Sequence, residues 1–341
     1  MSVIGILTAG GDCPGLNAVI RAVVTRAEYH DAEVVGILNG WEGLMQGRTK
    51  PLGRDDVRGI VAKGGTILGT SRLDPYVHGD GYASVERTMK ANDIDVVVVV
   101  GGDGTLRSAL KLADEGLAVV GVPKTIDNDI ASTDYTFGFN TAVEIATEAV
   151  DRITTTAEAH NRIMLVEVMG RTKGWIATYA AVAGGADALL IPEVPYDLDE
   201  IAKIIRSRHR RGHRYSVVVV SEGVEPPDRD AGPEQLDAFG FKRLGGVAYQ
   251  LAPHLEHMTG FETRVTVLGH LQRGGTPTAF DRVLGTRFGV AAADLAVRGE
   301  TKVMVAVRGT EMVGVPLDDG CAEIRGVDDE LWDVAQTFWD R

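Results

Sequence analysis

The stretch Asp95-Val-Val-Val-Val-Val-Gly-Gly-Asp-Gly-Thr105 decides the fold of this 341-residue chain. A continuous run of β-branched residues is typical of a strand buried on both faces, and so of an inner strand in a parallel sheet. The residues from Leu106 to Glu115 have apolar side chains at helical spacing, and Gly116 predicts the end of that helix. The glycines and Asp103 are therefore expected where a strand ends and a helix begins.

Open α/β sheets bind ligands at such a junction, where bare backbone N–H groups can hold a phosphate. Asp103 would repel a phosphate unless a Mg²⁺ ion lay between them, because this ion binds carboxylate and phosphate oxygens together. The alternative is that Asp103 only caps the helix and that the glycines only form a turn.

Composition limits the class of protein. A chain of 341 residues is too long for one typical core, and 44% hydrophobic and 24% charged residues fit a two-domain globular α/β protein. The net charge of −13 disfavours nucleic acid and anionic membranes as partners. With two cysteines, no basic leader segment and no apolar run near the roughly 20 residues of a membrane helix, the chain is expected to be cytoplasmic.

Alternating strand and helix patterns extend this interpretation along the chain. Val3 to Thr8 predicts a strand that leads through a glycine-rich turn into a helix, as in a doubly wound fold. A second βα series, from Thr141 to Leu268, predicts a second domain with its own parallel sheet. The segment from Glu225 to Gly240 is rich in Pro, Asp and Gly and predicts an exposed insertion.

Two residues have open interpretations at this stage. Cys13 lies in the first glycine-rich turn and is either a small buried residue or a reactive thiol. Trp41 follows the second predicted strand and could stack on a base or pack over the sheet.

Six segments, taken together, closely resemble the 6-phosphofructokinase family. The motif GGDGT also occurs in NAD kinases and lipid kinases, whereas the combination of TIDND, MGR and GHLQRGG sets the resemblance apart from those families. The segments are Gly5–Ala18, Gly65–Arg72, Gly101–Thr105, Pro123–Asp129, Val168–Arg171 and Gly269–Gly275.

The resemblance implies two doubly wound, Rossmann-like domains with mostly parallel sheets and an active site in the cleft between them. The nucleotide-binding domain would comprise residues 1–138 and about 272–322. The sugar-phosphate domain would comprise about 139–271 and the C-terminal tail. The family's active form is a homotetramer in which Arg162 and Arg264 reach in from a neighbouring subunit.

The implied reaction is phosphoryl transfer to the 1-hydroxyl of fructose 6-phosphate, a step of glycolysis. Asp127 would accept the hydroxyl proton with Thr125 beside it, while Lys124 and Arg171 would assist the moving phosphoryl group. The donor would be held by Gly11, Arg72, Leu73, Gly102, Asp103, Gly104 and Thr105. Mg²⁺ would be held by Asp103 and Asp129. The sugar phosphate would be held by Thr125, Asp127, Arg162, Met169, Gly170, Arg171, Glu222, Arg264, His270 and Arg273.

The family divides between ATP and pyrophosphate as donor, and this chain carries a mixed pair of marker residues. Pyrophosphate enzymes typically have aspartate at the position of Gly104 and lysine at that of Lys124, and common bacterial ATP enzymes have glycine at both. An aspartate within about 4 Å of a nucleotide phosphate would repel it by about 4 kcal/mol at an effective dielectric near 20. Gly104 therefore favours ATP, and pyrophosphate is the alternative.

Two other functions compete with this interpretation. A lipid or NAD kinase would account for GGDGT but not for the arginines around a sugar phosphate. A sugar-phosphate sensor without catalysis would be expected to have lost TIDND or GGDGT, and both are intact.

Overall fold

The computed structural model describes residues 2–227 and 244–339, so most of the predicted insertion lies outside the described residues. The strands are β1 (Val3–Thr8), β2 (Glu33–Ile37), β3 (Thr49–Leu52), β4 (Val96–Gly101), β5 (Val119–Thr125), β6 (Phe137–Gly138), β7 (Ile163–Val168), β8 (Ala188–Leu190), β9 (Ser216–Ser221), β10 (Thr263–Val267), β11 (Val303–Arg308) and β12 (Glu311–Pro316). The helices are α1 (Leu16–Tyr29), α2 (Gly40–Gln46), α3 (Pro75–His78), α4 (Tyr82–Ala91), α5 (Asp103–Asp114), α6 (Phe139–His160), α7 (Trp175–Gly184), α8 (Leu198–Arg210), α9 (Val247–Thr259), α10 (Ala279–Val297), α11 (Leu317–Gly320) and α12 (Asp329–Thr337). A 3₁₀ turn spans Gly269–Arg273.

The chain divides into two compact units. Unit 1 comprises Met1–Thr141 and Arg273–Arg325, and unit 2 comprises Ala142–Gln272 and Gly326–Arg341. Each unit has its own mainly parallel sheet, which confirms the α/β class predicted from the sequence.

The sheet of unit 1 has the order β12-β11-β5-β4-β1-β2-β3, with β6 paired to β5. Strands β1, β2, β4, β5 and β11 pair in parallel, while β3 and β12 add antiparallel edges. The chain passes from β1 to β2 on one side and later reaches β4 on the other side of β1. The crevice beyond the carboxyl ends of β1 and β4 is thus a topological switch point, where open α/β sheets place their ligands.

The valine run forms the centre of this sheet, as predicted. Val97 to Val100 are fully buried, because helices cover both faces of an inner parallel strand. Trp41 lies on α2 and is also buried, so it packs in the core and does not form an open stacking surface.

The sheet of unit 2 is smaller and wholly parallel, with the order β10-β7-β9-β8. The cluster that includes Ile163, Leu165, Val218, Val220 and Leu251 forms its core against α8 and α9. Within the described ranges, no helix combines the length and the apolar character that crossing a bilayer requires.

Two element boundaries differ from the sequence predictions in ways that matter for the site. Helix α5 begins at Asp103 and not at Leu106, because Gly102 forms the N-cap in an extended conformation and Asp103, Gly104 and Thr105 already belong to the first turn. The apolar run at residues 118–122 predicts a strand that ends at Val122, but β5 continues through Thr125, because β4 and β6 flank its polar end. Lys124 and Thr125 therefore project from a buried strand, although their residue types are typical of a loop.

Candidate active site

The loop after β1 is tied to the second glycine-rich segment. The N–H of Gly10, in the left-handed region at φ 82°, donates to the carbonyl of Ser71 at 2.9 Å. The Thr70 hydroxyl donates to the carbonyl of Gly10 at 2.6 Å. These two bonds bring Arg72, which is exposed, and Leu73, which is half-buried, to the switch point of the unit 1 sheet.

Two cations converge on this loop at Gly11. The Lys124 ammonium, on a residue only 4% exposed, donates to the Gly11 carbonyl at 2.5 Å. The Arg273 guanidinium donates to the Asp12 carbonyl at 3.2 Å, and a Cβ at Gly11 would lie 2.8 Å from its Nη1 atom. Burial lowers the pKa of Lys124. A side chain at position 11 would displace the guanidinium, and the two cations make the loop suited to an anion.

The turn after β4 opens a helix amino end beside that loop. Gly102 is the N-cap of α5 and Asp103 its first residue, so Asp103 does not occupy the capping position. A Cβ at Gly101 would lie 2.3 Å from the Thr105 side chain, which explains the glycine at that position. A Cβ at Gly104 would meet nothing within 4 Å, so the first turn of α5 is open on that side.

The carboxylates predicted to hold Mg²⁺ follow neighbouring strands. Asp103 follows β4 and pairs with Arg107 at 2.8 Å, while Asp129 follows β5 and is buried. The described residues contain no group of three or more His, Cys, Asp or Glu side chains arranged for a metal. Mg²⁺ usually takes one or two carboxylates and completes its shell with phosphates and water, so this pair fits the ion.

The end of β5 presents Asp127 as a buried acid. The residue is 4% exposed, and its N–H donates to the Thr125 hydroxyl at 3.0 Å. Its Oδ1 atom is buried and has no hydrogen-bond partner among the described residues. A buried carboxylate oxygen without a partner is costly unless a ligand supplies a donor, and a sugar hydroxyl is such a donor.

In unit 2, a strained turn follows β7. Gly170 has φ 150° and Arg171 has φ 52°, and a Cβ at Gly170 would lie 2.4 Å from the Lys173 carbonyl. The Glu222 carboxylate accepts from the N–H groups of Gly170 and Arg171 at 3.3 and 3.1 Å. Glu222 therefore fixes the turn that carries Met169 and Arg171.

Arg162 and Arg264 lie together at the β10 edge of the unit 2 sheet. Both guanidinium groups pair with the carboxylate of Glu262. His270 is exposed in the 3₁₀ turn, beyond the end of β10. Arg273, which the resemblance assigns to the sugar phosphate together with these three residues, lies in unit 1 beside Gly11 and Asp12.

Some residues of the site were not predicted from the sequence. Glu262 stands two residues before Arg264, and an acid beside a predicted phosphate-binding arginine is a signal that could have been used. Asn128 and Thr136 support the turn that carries Asp127, but nothing local marks Thr136. Cys13 is buried, and burial raises the pKa of its thiol to about 12, which supports the structural interpretation of this residue.

Comparison with known proteins gives the family. The Phosphofructokinase family profile matches residues 3–296. A pyrophosphate–fructose 6-phosphate 1-phosphotransferase of Amycolatopsis methanolica is 50% identical over 342 residues, covering 98% of this chain and 99% of the relative. An ATP-dependent 6-phosphofructokinase of Mycobacterium bovis is 50% identical over 343 residues, with the same coverage of both chains.

The solved structure of Pichia pastoris phosphofructokinase in the T-state superposes with a TM-score of 0.84 at 35% identity. The match covers 94% of this chain and 35% of the Pichia chain, which is therefore much longer. Relatives of both donor classes share half of their residues with this protein along almost its whole length, and the chain belongs to the phosphofructokinase family of phosphotransferase enzymes.

Proposed function

We propose that this enzyme transfers the γ-phosphoryl group of ATP to the 1-hydroxyl of fructose 6-phosphate, giving fructose 1,6-bisphosphate and ADP. The observation that carries the proposal is the buried Asp127 carboxylate, whose Oδ1 atom has no partner in the described part of the chain. It follows β5, next to the turn after β4 that suits a phosphate. A base and a phosphoryl donor are the two groups that transfer to an alcohol requires.

In the proposed reaction, Asp127 accepts the proton of the 1-hydroxyl as the oxygen attacks the γ-phosphorus. The bond from that phosphorus to the β,γ-bridging oxygen breaks, and ADP leaves. Lys124 and Arg171 stabilise negative charge on the phosphoryl group in flight. Mg²⁺, held by Asp103 and Asp129, would neutralise charge on the donor phosphates.

The phosphate of the sugar would be bound by Arg162 and Arg264 of a neighbouring subunit together with His270 and Arg273. Arg162 and Arg264 share one carboxylate, so two cations face a single counter-charge and retain capacity for a phosphate dianion. Glu222 and the turn at Met169 and Gly170 would meet the sugar hydroxyls. A cytoplasmic homotetramer acting in glycolysis is the setting that the family resemblance favours.

ATP is proposed as donor because the space beside Gly104 is open. A nucleotide places a third phosphate and a nucleoside where pyrophosphate ends, and an uncharged glycine neither repels nor obstructs them. Pyrophosphate is the second candidate. It is favoured by relatives of that specificity at 50% identity, whereas the ammonium of Lys124 beside Gly11 would assist either donor.

The test is an assay of the purified enzyme with fructose 6-phosphate and each donor in turn, repeated on Asp127→Asn. We expect turnover with ATP and its loss in the variant. Turnover with pyrophosphate and none with ATP would show that pyrophosphate is the phosphoryl donor. Full turnover by Asp127→Asn would show that Asp127 is not the general base.

A further inference from the structure

The connection from Thr125 to Gly138 leaves the end of β5 and returns beside the same strand as β6. Strand β6 pairs in parallel with the end of β5, with Lys124 opposite Phe137 and Thr125 opposite Gly138. Parallel strands are usually joined through a helix, which fixes the geometry of the crossover by itself. This connection contains no helix, and it is held both by backbone hydrogen bonds, such as that from the Arg325 N–H to the Asp129 carbonyl at 2.9 Å, and by its side chains.

Asn128 has a backbone conformation that is uncommon for a non-glycine residue. Its φ of 51° lies in the left-handed region, which asparagine tolerates better than most non-glycine residues. The side chain is 2% exposed, and its Oδ1 atom accepts from the N–H of Thr136 at 2.9 Å. Asn128 stands between Asp127 and Asp129, and this hydrogen bond ties it to the residue that precedes β6.

Thr136 also binds the backbone that precedes Asp127, at Thr125. It is 1% exposed, and its hydroxyl donates to the Thr125 carbonyl at 2.8 Å. The Thr125 hydroxyl accepts in turn from the N–H of Asp127 at 3.0 Å. The backbone on both sides of Asp127 is therefore fixed by buried hydrogen bonds.

None of these bonds uses the Oδ1 atom of Asp127, which remains buried and unpartnered in the described structure. We infer that Asn128 and Thr136 are positioning residues for Asp127: they hold the backbone of the catalytic turn while leaving that carboxylate oxygen to the substrate hydroxyl. The inference rests on the proposed role of Asp127 as the base. Misplacement of a reacting group by about 1 Å can cost about 10²-fold in rate, so such support affects turnover more than affinity.

The experiment compares Thr136→Val, which removes the hydroxyl at nearly constant shape, with Thr136→Ser, which retains it. Asn128→Gly keeps access to the left-handed region and removes the bond to Thr136. For each variant we would measure kcat, the KM of both substrates, the binding of fructose 6-phosphate and the thermal midpoint. Thr88→Val, which removes another buried hydroxyl of unit 1 on α4, is the matched control.

We expect kcat to fall by about 10- to 100-fold in Thr136→Val and Asn128→Gly, with both KM values within about twofold of the parent. Thr136→Ser should recover most of the rate, and Thr88→Val should retain it. An unchanged kcat with a lower thermal midpoint would show a purely structural role and overturn the inference. So would a loss confined to KM, or a serine variant as slow as the valine variant.

If Thr136→Val does not fold, Asn128→Gly and Thr136→Ser decide the question by the same split between kcat and KM. Asp127→Asn, measured alongside, separates the two levels of the proposal. If Asp127→Asn loses activity while Asn128→Gly and Thr136→Val keep the parental kcat, only the positioning role fails. If Asp127→Asn keeps its activity, the proposed base itself fails.

Discussion

Gly104 can be changed without disturbing the fold, which makes it the sharpest test of donor choice. A Cβ at this position meets nothing within 4 Å, and the backbone is outside the left-handed region. The residue is in the first turn of α5, where a carboxylate is favoured by about 0.3–1 kcal/mol through the helix dipole. Gly104→Asp should therefore leave the thermal midpoint unchanged or slightly raised.

The effect on catalysis should be large because it is electrostatic. A carboxylate at about 4 Å from a phosphate costs about 4 kcal/mol at an effective dielectric near 20, which corresponds to about a thousandfold in affinity. Arg107, one turn along, is already paired with Asp103, so it offsets little of this repulsion. Pyrophosphate lacks the third phosphate and the nucleoside, and its use should suffer less.

The assay is kcat/KM with saturating fructose 6-phosphate and either donor, for the parent, Gly104→Asp and Gly104→Asn. We expect Gly104→Asp to lower the value for ATP by about 10²- to 10³-fold relative to that for pyrophosphate, and Gly104→Asn to lower it far less. Equal losses in the two variants would mean that size and not charge excludes the nucleotide. A value for ATP within about threefold of the parent in Gly104→Asp would refute the reasoning.

Three further predictions concern other groups of unit 1. Asp127→Asn should lower kcat by about 10²- to 10⁴-fold while the affinity for fructose 6-phosphate, measured by calorimetry, stays near that of the parent; a loss of binding with normal turnover would contradict this. Lys124→Met should reduce kcat/KM for both donors to a similar extent, because the ammonium contacts Gly11, which is proposed to bind the donor. A loss confined to one donor, in the same two-donor assay, would count against this. Burial raises the pKa of the Cys13 thiol to about 12 and that of Cys321 to about 11, from an ordinary value of 9.0. The thiols of the unfolded chain lose their protons at a lower pH than those of the folded chain, so the free energy of unfolding should fall as the pH rises above 9.0. A thiol reagent near pH 8 should react fully with both cysteines only in denaturant, and rapid reaction of both in the native protein would refute their burial.

The central strand and its turn were predictable because their signals are local. Five valines in a row have no alternative to a strand covered on both faces, and Val97 to Val100 are indeed fully buried. The turn that follows contains three glycines around Asp103, and it lies at the carboxyl end of β4 as expected. The α/β class followed from the same kind of repeating pattern.

The bounds of helices and strands were less predictable where polar residues are buried. The Pro-Lys-Thr segment at 123–125 has the composition of a loop, yet it completes β5 because strands on either side supply its pairing. Helix α2 was not predicted, since Trp41 stands among glycines that are typical of a loop. Local propensity was overridden by tertiary context at both places.

The sequence by itself determined the family, the order of the motifs and the residue types available for phosphoryl transfer. Only the tertiary structure placed Arg273 beside Gly11 and tied Thr136 to Asn128, since these contacts join residues whose neighbours along the chain carry no signal of them. It also showed that the space beside Gly104 is open. The physical reason is that residue type and spacing are encoded locally, whereas the burial and hydrogen bonding of a polar group depend on segments that meet only when the sheet has formed.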